Sequence, residues 1–104
     1  MQNKVFSMLG LAAKSGNVAS GEFSTEKAIK SGKAFLVIVS SEASENTLKM
    51  FTNMTDFYHV PIYVYGTKED LGHCIGKEFR ASLAITDENL AKAVEKNLVT
   101  YKTE

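Results

Sequence analysis

One continuous apolar run, Phe35-Leu36-Val37-Ile38-Val39, constrains the fold more than any other part of the chain. A run of β-branched and other apolar residues between polar neighbours is typical of a strand that is buried on both faces. An amphipathic strand would instead alternate apolar and polar residues. The run therefore predicts the central strand of a sheet that is covered on both of its faces.

Helix signals and strand signals alternate along the chain. Five segments have apolar residues at helical spacing or helix-capping residues, at positions 2–14, 22–30, 44–55, 67–76 and 86–98. Four segments have the pattern of strands, at positions 18–20, 35–39, 60–65 and 81–85. This alternation predicts an α/β protein, a three-layer α/β/α sandwich around one four-stranded sheet.

The length and the cysteine content limit what else the chain can be. Its 104 residues, 44% of them hydrophobic, suffice for one buried core, so we expect a single domain over residues 1–104 with its function on the surface. Cys74 is the single cysteine, which excludes an intramolecular disulfide and indicates a reducing compartment, the cytoplasm. The start of the chain lacks the pattern of a signal peptide, and no apolar run approaches the roughly 20 residues that cross a bilayer, so we expect no membrane partner.

Motifs for catalysis and for cofactor binding are absent from the sequence. The chain contains only two histidines, His59 and His73, and neither has the spacing of a zinc site. His73 and Cys74 are neighbours, but adjacent helical residues point about 100° apart, so we expect buried or partly buried structural roles for both. No phosphate loop and no dinucleotide fingerprint occurs. The sequence predicts a protein that is not an enzyme and that has no metal and no cofactor.

The charged residues balance overall but not along the chain. Twelve basic and twelve acidic residues give a net charge of zero, which argues against an indiscriminate binder of polyanions. Residues 1–33 contain five lysines and two glutamates. This surplus is compatible with a basic face for nucleic acid, although runs of charge are usually solvated faces.

The glycine-bounded segment 21–32 is the best candidate for a working surface. A helix that starts after Gly21 exposes N–H groups to phosphate or base edges, and glycine lets an RNA backbone approach closely. Lys27 and Lys30 share a helix face that Lys33 can extend. Farther along the chain, Phe79 is placed either to stack on an unpaired base or to fill the core beneath its loop.

Several motifs together resemble those of a known family. The stretch 21–39 resembles the signature of the kink-turn RNA-binding ribosomal protein superfamily, of the L-seven-Ae, L-thirty-e and Gadd-like type. Residues 71–76 and 81–85 are similar to the second recognition loop and the last strand of that superfamily. Residues 8–16 and 84–87 resemble more specifically a bacterial branch, YlxQ. The resemblance covers nearly the whole chain, from about residue 4 to residue 95.

The resemblance implies an L-thirty-e-like fold with a mixed sheet and a monomeric, cytoplasmic, bacterial protein that works in translation. It implies binding to structured RNA, kink-turn-like or ribosomal, and to ribosome or ribonucleoprotein components. The contacts would come from the helix start within 21–33 and from the 76–80 loop. The implied RNA-binding residues are Gly21, Glu22, Phe23, Ser24, Lys27, Lys30, Lys33, Lys77, Phe79 and Arg80.

Two residues depart from the pattern of the superfamily. Where its members have Asn-Glu or Lys-Gln to read the sheared G·A pairs of a kink-turn, this chain has Phe23 and Ser24. Phe23 cannot supply amide hydrogen bonds, so base readout at that position changes or vanishes. An alternative is therefore a protein-interaction adaptor on the same fold, with Phe23 and Phe79 as its apolar contacts. A small enzyme or nucleotide binder on a flavodoxin-like sheet is the third possibility.

Overall fold

Helices and strands alternate through the part of the chain that the structure describes. The computed structural model describes residues 3–103, and their side chains through residue 99. The helices are α1 (Lys4–Lys14), α2 (Glu22–Lys30), α3 (Glu45–Tyr58), α4 (Lys68–Cys74) and α5 (Glu88–Thr103). The strands are β1 (Val18–Ser20), β2 (Leu36–Val39), β3 (Ile62–Val64) and β4 (Ser82–Ile85). This order confirms the predicted alternation.

Some element boundaries differ from the predicted ones for local reasons. Gln2, the predicted first residue of α1, lies outside the described residues. The third helix continues to Tyr58 and ends at His59, whose backbone is left-handed with φ 59°. The Val60 N–H still donates to the Thr55 carbonyl at 2.8 Å, so β3 begins only after this helix-ending bond and is shorter than predicted.

The sheet is mixed, with strand order β1-β4-β2-β3. Strand β4 pairs antiparallel with both β1 and β2, whereas β2 pairs parallel with β3. The central strands β2 and β4 are buried along their whole length. The prediction of a central strand is thus confirmed for Leu36–Val39, while Phe35 precedes the strand and is 40% exposed.

Helices cover both faces of the sheet, which confirms the three-layer sandwich. Leu36 and Ile38 of β2 face one layer, formed by α1, α4 and α5, and Val37 and Val39 face the other, formed by α2 and α3. The largest buried side chains of the helices are Leu9, Leu71, Val94 and Leu98 in the first layer and Ile29 and Phe51 in the second. Within the described residues, no helix is both long enough and apolar enough to span a membrane.

The two ends of β4 define two ends of the molecule. At its first residue, the Ser82 carbonyl accepts a hydrogen bond from the Gly21 N–H at 2.9 Å, and we call this the glycine end. At its last residue, the Ile85 carbonyl accepts from the Phe35 N–H at 2.9 Å, and we call this the opposite end. Three residue steps of a strand separate the two ends by about 10 Å.

Candidate nucleic-acid interface

The start of α2 has no side-chain cap. Among the five helices in the described residues, the other four are capped by a side-chain oxygen at the N-terminus, from Asn3, Ser44, Thr67 and Asp87. The residue before α2 is Gly21, which has no side chain to offer. A helix leaves its first N–H groups without intrahelical acceptors, so these groups of α2 remain available to an acceptor from outside.

Gly21 has a backbone that other residues rarely adopt. Its φ is 90° and its ψ 162°, and no heavy atom lies within 4 Å of the position that a Cβ would take. The first helical bond of α2 runs from the Thr25 N–H to the Gly21 carbonyl at 3.0 Å. The N–H groups of Glu22, Phe23 and Ser24 therefore lie at the free end of the helix, next to open space. We call residues 21–24 the open helix start.

The side chains of the open helix start all reach solvent. Glu22, Phe23 and Ser24 are exposed, and Phe23 exposes 78% of its surface. A carboxylate such as that of Glu22 accepts hydrogen bonds from amino groups on base edges. The ring of Phe23 offers an apolar π-face instead of the amide that the superfamily pattern has at this position.

The 76–80 loop lies directly on α4. The Gly76 N–H donates to the His73 carbonyl at 3.1 Å, and the Lys77 N–H donates to the Gly72 carbonyl at 2.8 Å. A Cβ at Gly72 would overlap the carbonyl group of Glu78. Glycine at position 72 thus lets the loop backbone approach the helix closely. The sequence motif at residues 71–76 includes this glycine, but its physical role is visible only in the structure.

Arg80 joins this loop to the glycine end. Its Nε donates to Ser20 Oγ at 3.2 Å, one residue before Gly21, and its Nη1 donates to the Phe79 carbonyl at 2.7 Å. The backbone N–H of Arg80 also donates to the Lys68 carbonyl at 3.0 Å. Because a guanidinium has five N–H donors, others remain for a phosphate.

Phe79 and Lys77 point away from the core. Phe79 is 63% exposed, so the alternative that it fills the core under the loop is wrong. Lys77 is exposed as well and lines, with Phe79, Glu78 and residues of α4, an open groove of about 440 Å³. The loop therefore presents an aromatic ring and two cations beside the open helix start.

Lys33 does not lie with the other two lysines of the predicted patch. Lys27 is exposed, just over a turn into α2. Lys30 Nζ lies 2.8 Å from Glu26 Oε2, and the hydrogen bond and charge of Glu26 raise the pKa of Lys30. Lys33 follows the end of α2, two residues before Phe35, and so lies at the opposite end of the molecule from Gly21.

The neighbours His73 and Cys74 differ in their environments. The imidazole of His73 is exposed, so the expected buried or partly buried role is wrong for this residue, which faces solvent in the last turn of α4. Cys74 is partly buried as predicted, and its Sγ lies 3.2 Å from the Leu71 carbonyl. Burial raises the pKa of this thiol to about 11. Within residues 3–103, no cluster of three or more metal-ligating side chains occurs.

Comparison with known proteins shows which family and which relatives this chain is similar to. The model of the ribosomal protein L7Ae/L30e/S12e/Gadd45 family matches residues 3–95. RNA-binding protein YlxQ of Bacillus subtilis is 40% identical over 86 residues, 83% of this chain and 86% of that protein. Large ribosomal subunit protein eL30 of Sulfolobus acidocaldarius is 36% identical over 84 residues, 79% of this chain and 81% of that protein. A protein with unknown function from Bacillus halodurans C has a solved structure that superposes with a TM-score of 0.91 at 32% identity, covering 94% of this chain and 99% of that one.

Proposed function

Because this chain belongs to the ribosomal protein L7Ae/L30e/S12e/Gadd45 family, a non-enzymatic family of RNA-binding and ribosomal proteins, we propose that it binds structured RNA through its glycine end. The family match confirms the resemblance to the superfamily and to its YlxQ-like branch. It also confirms that the protein is not an enzyme. The contacts proposed for this chain come from the open helix start and the 76–80 loop.

The observation that carries the proposal is the uncapped start of α2 beside the 76–80 loop, which Arg80 joins to Ser20. The helix dipole and the N–H groups of the first turn attract an RNA phosphate. Arg80, fixed by its bond to Ser20, adds a cation with free donors at the same place. Phe79 can stack on a base that the fold of the RNA leaves unpaired. Phosphate contact and stacking together suit an RNA with a sharp bend rather than a regular duplex.

Kink-turn-like or ribosomal RNA is the proposed ligand. In a kink-turn, sheared G·A pairs adjoin a bend with unstacked bases. Phe23 and Ser24 replace the side chains that read these pairs in the superfamily pattern, so we propose that this chain depends more on shape and stacking than on amide hydrogen bonds. We further propose that it acts as a monomer in the bacterial cytoplasm. There it would take part in translation by binding structured ribosomal RNA.

Fluorescence anisotropy with labelled RNAs tests the proposal. The series compares a kink-turn hairpin, a simple duplex of equal length and fragments of ribosomal RNA, each over a range of salt concentrations. We expect the kink-turn or a ribosomal fragment to bind more tightly than the duplex, with an affinity that falls as salt rises because phosphate contacts release counterions. Absence of salt-dependent binding to every RNA in the series would refute the proposal.

The exposure of Phe23 and Phe79 also favours the adaptor as a second candidate. Replacement of Lys27, Lys77 and Arg80 by Ala separates the two functions. RNA binding predicts a weaker affinity and a salt slope reduced by about 0.7 to 0.9 for each phosphate interaction that the substitutions remove. An adaptor that does not bind RNA has no RNA affinity for these substitutions to weaken, and its partner binding depends on the two aromatic rings instead.

A further inference from the structure

A stripe of exposed side chains begins in the open helix start and runs along the outer face of α2. Phe23, Lys27 and Lys30 follow one another at spacings of four and three residues, so they share one side of the helix. Together with Glu26 and Ser31 they line a shallow groove of about 370 Å³. The seven residues from Phe23 to Lys30 span about 10 Å along the helix axis. We call these three residues the α2 stripe.

An exposed aromatic pair ends the neighbouring helix α3. The rings of Phe57 and Tyr58 meet edge to face, with their centroids 4.9 Å apart and their planes at 75°. Phe57 is 74% exposed and Tyr58 39% exposed. The left-handed residue His59 ends the helix directly after them. Neither ring belongs to a hydrophobic core cluster, so packing within the described residues does not explain the pair.

The α2 stripe ends beside this aromatic pair. Both helices lie on the same face of the sheet and start at the glycine end, since α3 follows Ser40, whose N–H donates to the Ala81 carbonyl at 2.8 Å. Both therefore end at the opposite end. The two helices also contact each other, so the end of the α2 stripe at Lys30 and the aromatic pair lie on the same side of the molecule.

The alternation of aromatic rings and lysines from Phe23 to the aromatic pair favours single-stranded nucleic acid as the ligand. Proteins that hold single-stranded nucleic acid combine cations that follow the backbone with aromatic rings on which bases stack. The ion pair of Lys30 with Glu26 is exposed, and such pairs hold a lysine only weakly, so a phosphate can compete for it. A protein partner would favour contiguous apolar surface, whereas here charged residues separate Phe23 from Phe57.

We propose that an unpaired RNA strand leaving the structured site runs along the α2 stripe and stacks a base on Phe57. The proposal rests on the proposed function, because the strand is the continuation of the RNA at the glycine end. At about 3.4 Å per stacked nucleotide, the stripe accommodates roughly three nucleotides before the aromatic pair. The protein would thus prefer a structured RNA with a single-stranded extension to the same RNA with a blunt end.

We call this path of the strand along the α2 stripe to Phe57 the track, and binding of matched RNAs tests it. The probes are the tightest structured RNA as a blunt form, the same RNA with a single-stranded extension of about five nucleotides at either end, and the extension alone. One stacked base is worth about 1–3 kcal/mol, so we expect wild-type protein to bind one of the extended forms about 5- to 150-fold more tightly than the blunt form. Phe57→Ala removes this gain and leaves the blunt affinity unchanged, whereas Phe57→Tyr keeps the gain.

A control variant and a crosslink make the test specific. Leu11→Ala changes another exposed apolar residue, 62% exposed on the other helix layer, and keeps the gain. A 4-thiouridine at the far end of the extension is expected to crosslink to the tryptic peptide 50–68, which contains Phe57. Crosslinking closer to the structured RNA is expected in peptide 15–27, which contains Phe23.

The outcomes separate the track from the proposed function. The track is overturned if neither extension tightens binding relative to the blunt RNA, or if Phe57→Ala leaves such tightening intact. Binding of the blunt RNA still supports structured RNA binding in that case. The aromatic pair is then a surface for a protein. Failure of the blunt RNA to bind, with binding of the free strand that depends on Phe57, overturns the proposed function and with it the continuation of a structured RNA onto the stripe, and leaves only stacking of a single strand on Phe57. Failure of all the RNAs to bind overturns both.

Discussion

Replacing Gly72 by alanine is expected to displace the 76–80 loop. The new Cβ would overlap the carbonyl group of Glu78 and lie 2.9 Å from the Phe79 nitrogen, both of them backbone atoms that cannot rotate away. Relief therefore requires the loop to move outward, by a distance on the order of 1 Å. Because Phe79 is carried on this backbone, the variant changes the position of the aromatic ring without altering any proposed RNA-contacting side chain.

The expected magnitudes follow from packing and stacking. Overfilling a packed contact costs about 1–3 kcal/mol, which lowers the melting temperature of a domain of this size by roughly 4–20 °C. Misplacing one stacking ring forfeits about 1–3 kcal/mol of binding, or about 5- to 150-fold in the affinity for structured RNA. Both effects are large enough to measure, and the protein remains folded at temperatures well below its melting point.

Thermal denaturation and RNA anisotropy, measured on the same samples, check this prediction. The matched control is Gly16→Ala, since Gly16 has φ 77° and no atom within 4 Å of an added Cβ, so the substitution causes backbone strain without a clash. It is expected to cost about 1 kcal/mol of stability and no RNA affinity. Normal RNA binding by a destabilised Gly72→Ala protein would refute the role of the loop. Equal loss of affinity in Gly16→Ala would show that affinity follows stability instead.

Three further perturbations test other parts of the structure. Phe79→Ala is expected to weaken RNA binding about 5- to 150-fold in anisotropy while Phe79→Tyr does not, and equal losses in both would exclude stacking. Phe51→Ala empties a fully buried site and is expected to lower the free energy of unfolding in urea by about 3–5 kcal/mol; a cost below about 1 kcal/mol would contradict the packing between α3 and the sheet. Because burial raises the pKa of Cys74 to about 11, alkylation at pH 9 is expected to be more than about tenfold slower in the folded protein than in urea, and the difference is expected to shrink as the pH rises through 11. Equal alkylation rates at pH 9 would show that the thiol is not shielded.

Most of the fold follows from local patterns. The run at 35–39 indicates a buried strand because its apolar residues do not alternate, and the open start of α2 follows from glycine in a capping position. The pattern does not show which side of a loop meets solvent. Phe79 could therefore not be assigned from sequence, since a ring in a loop can pack inward or outward and only the path of the backbone over Gly72 decides.

The composition of the site was harder to predict than the fold. Spacing along α2 correctly puts Lys27 and Lys30 on one helix face, and it also puts Glu26 four residues before Lys30, where the two pair. Spacing does not show that Lys33 lies far from Gly21. The position of Lys33 depends on how the chain leaves α2 and where Phe35 pairs with β4. The bond from Arg80 to Ser20 joins residues 60 positions apart, which no local pattern reports.

A two-dimensional NMR titration of the protein with kink-turn RNA tests the central proposal most directly. We predict that the backbone amides of Glu22, Phe23 and Ser24 and those of residues 77–80 shift most, because the RNA approaches the uncapped helix start and the loop beside it. Large shifts confined to α1 and α5, with these amides unchanged, would contradict RNA binding at the glycine end.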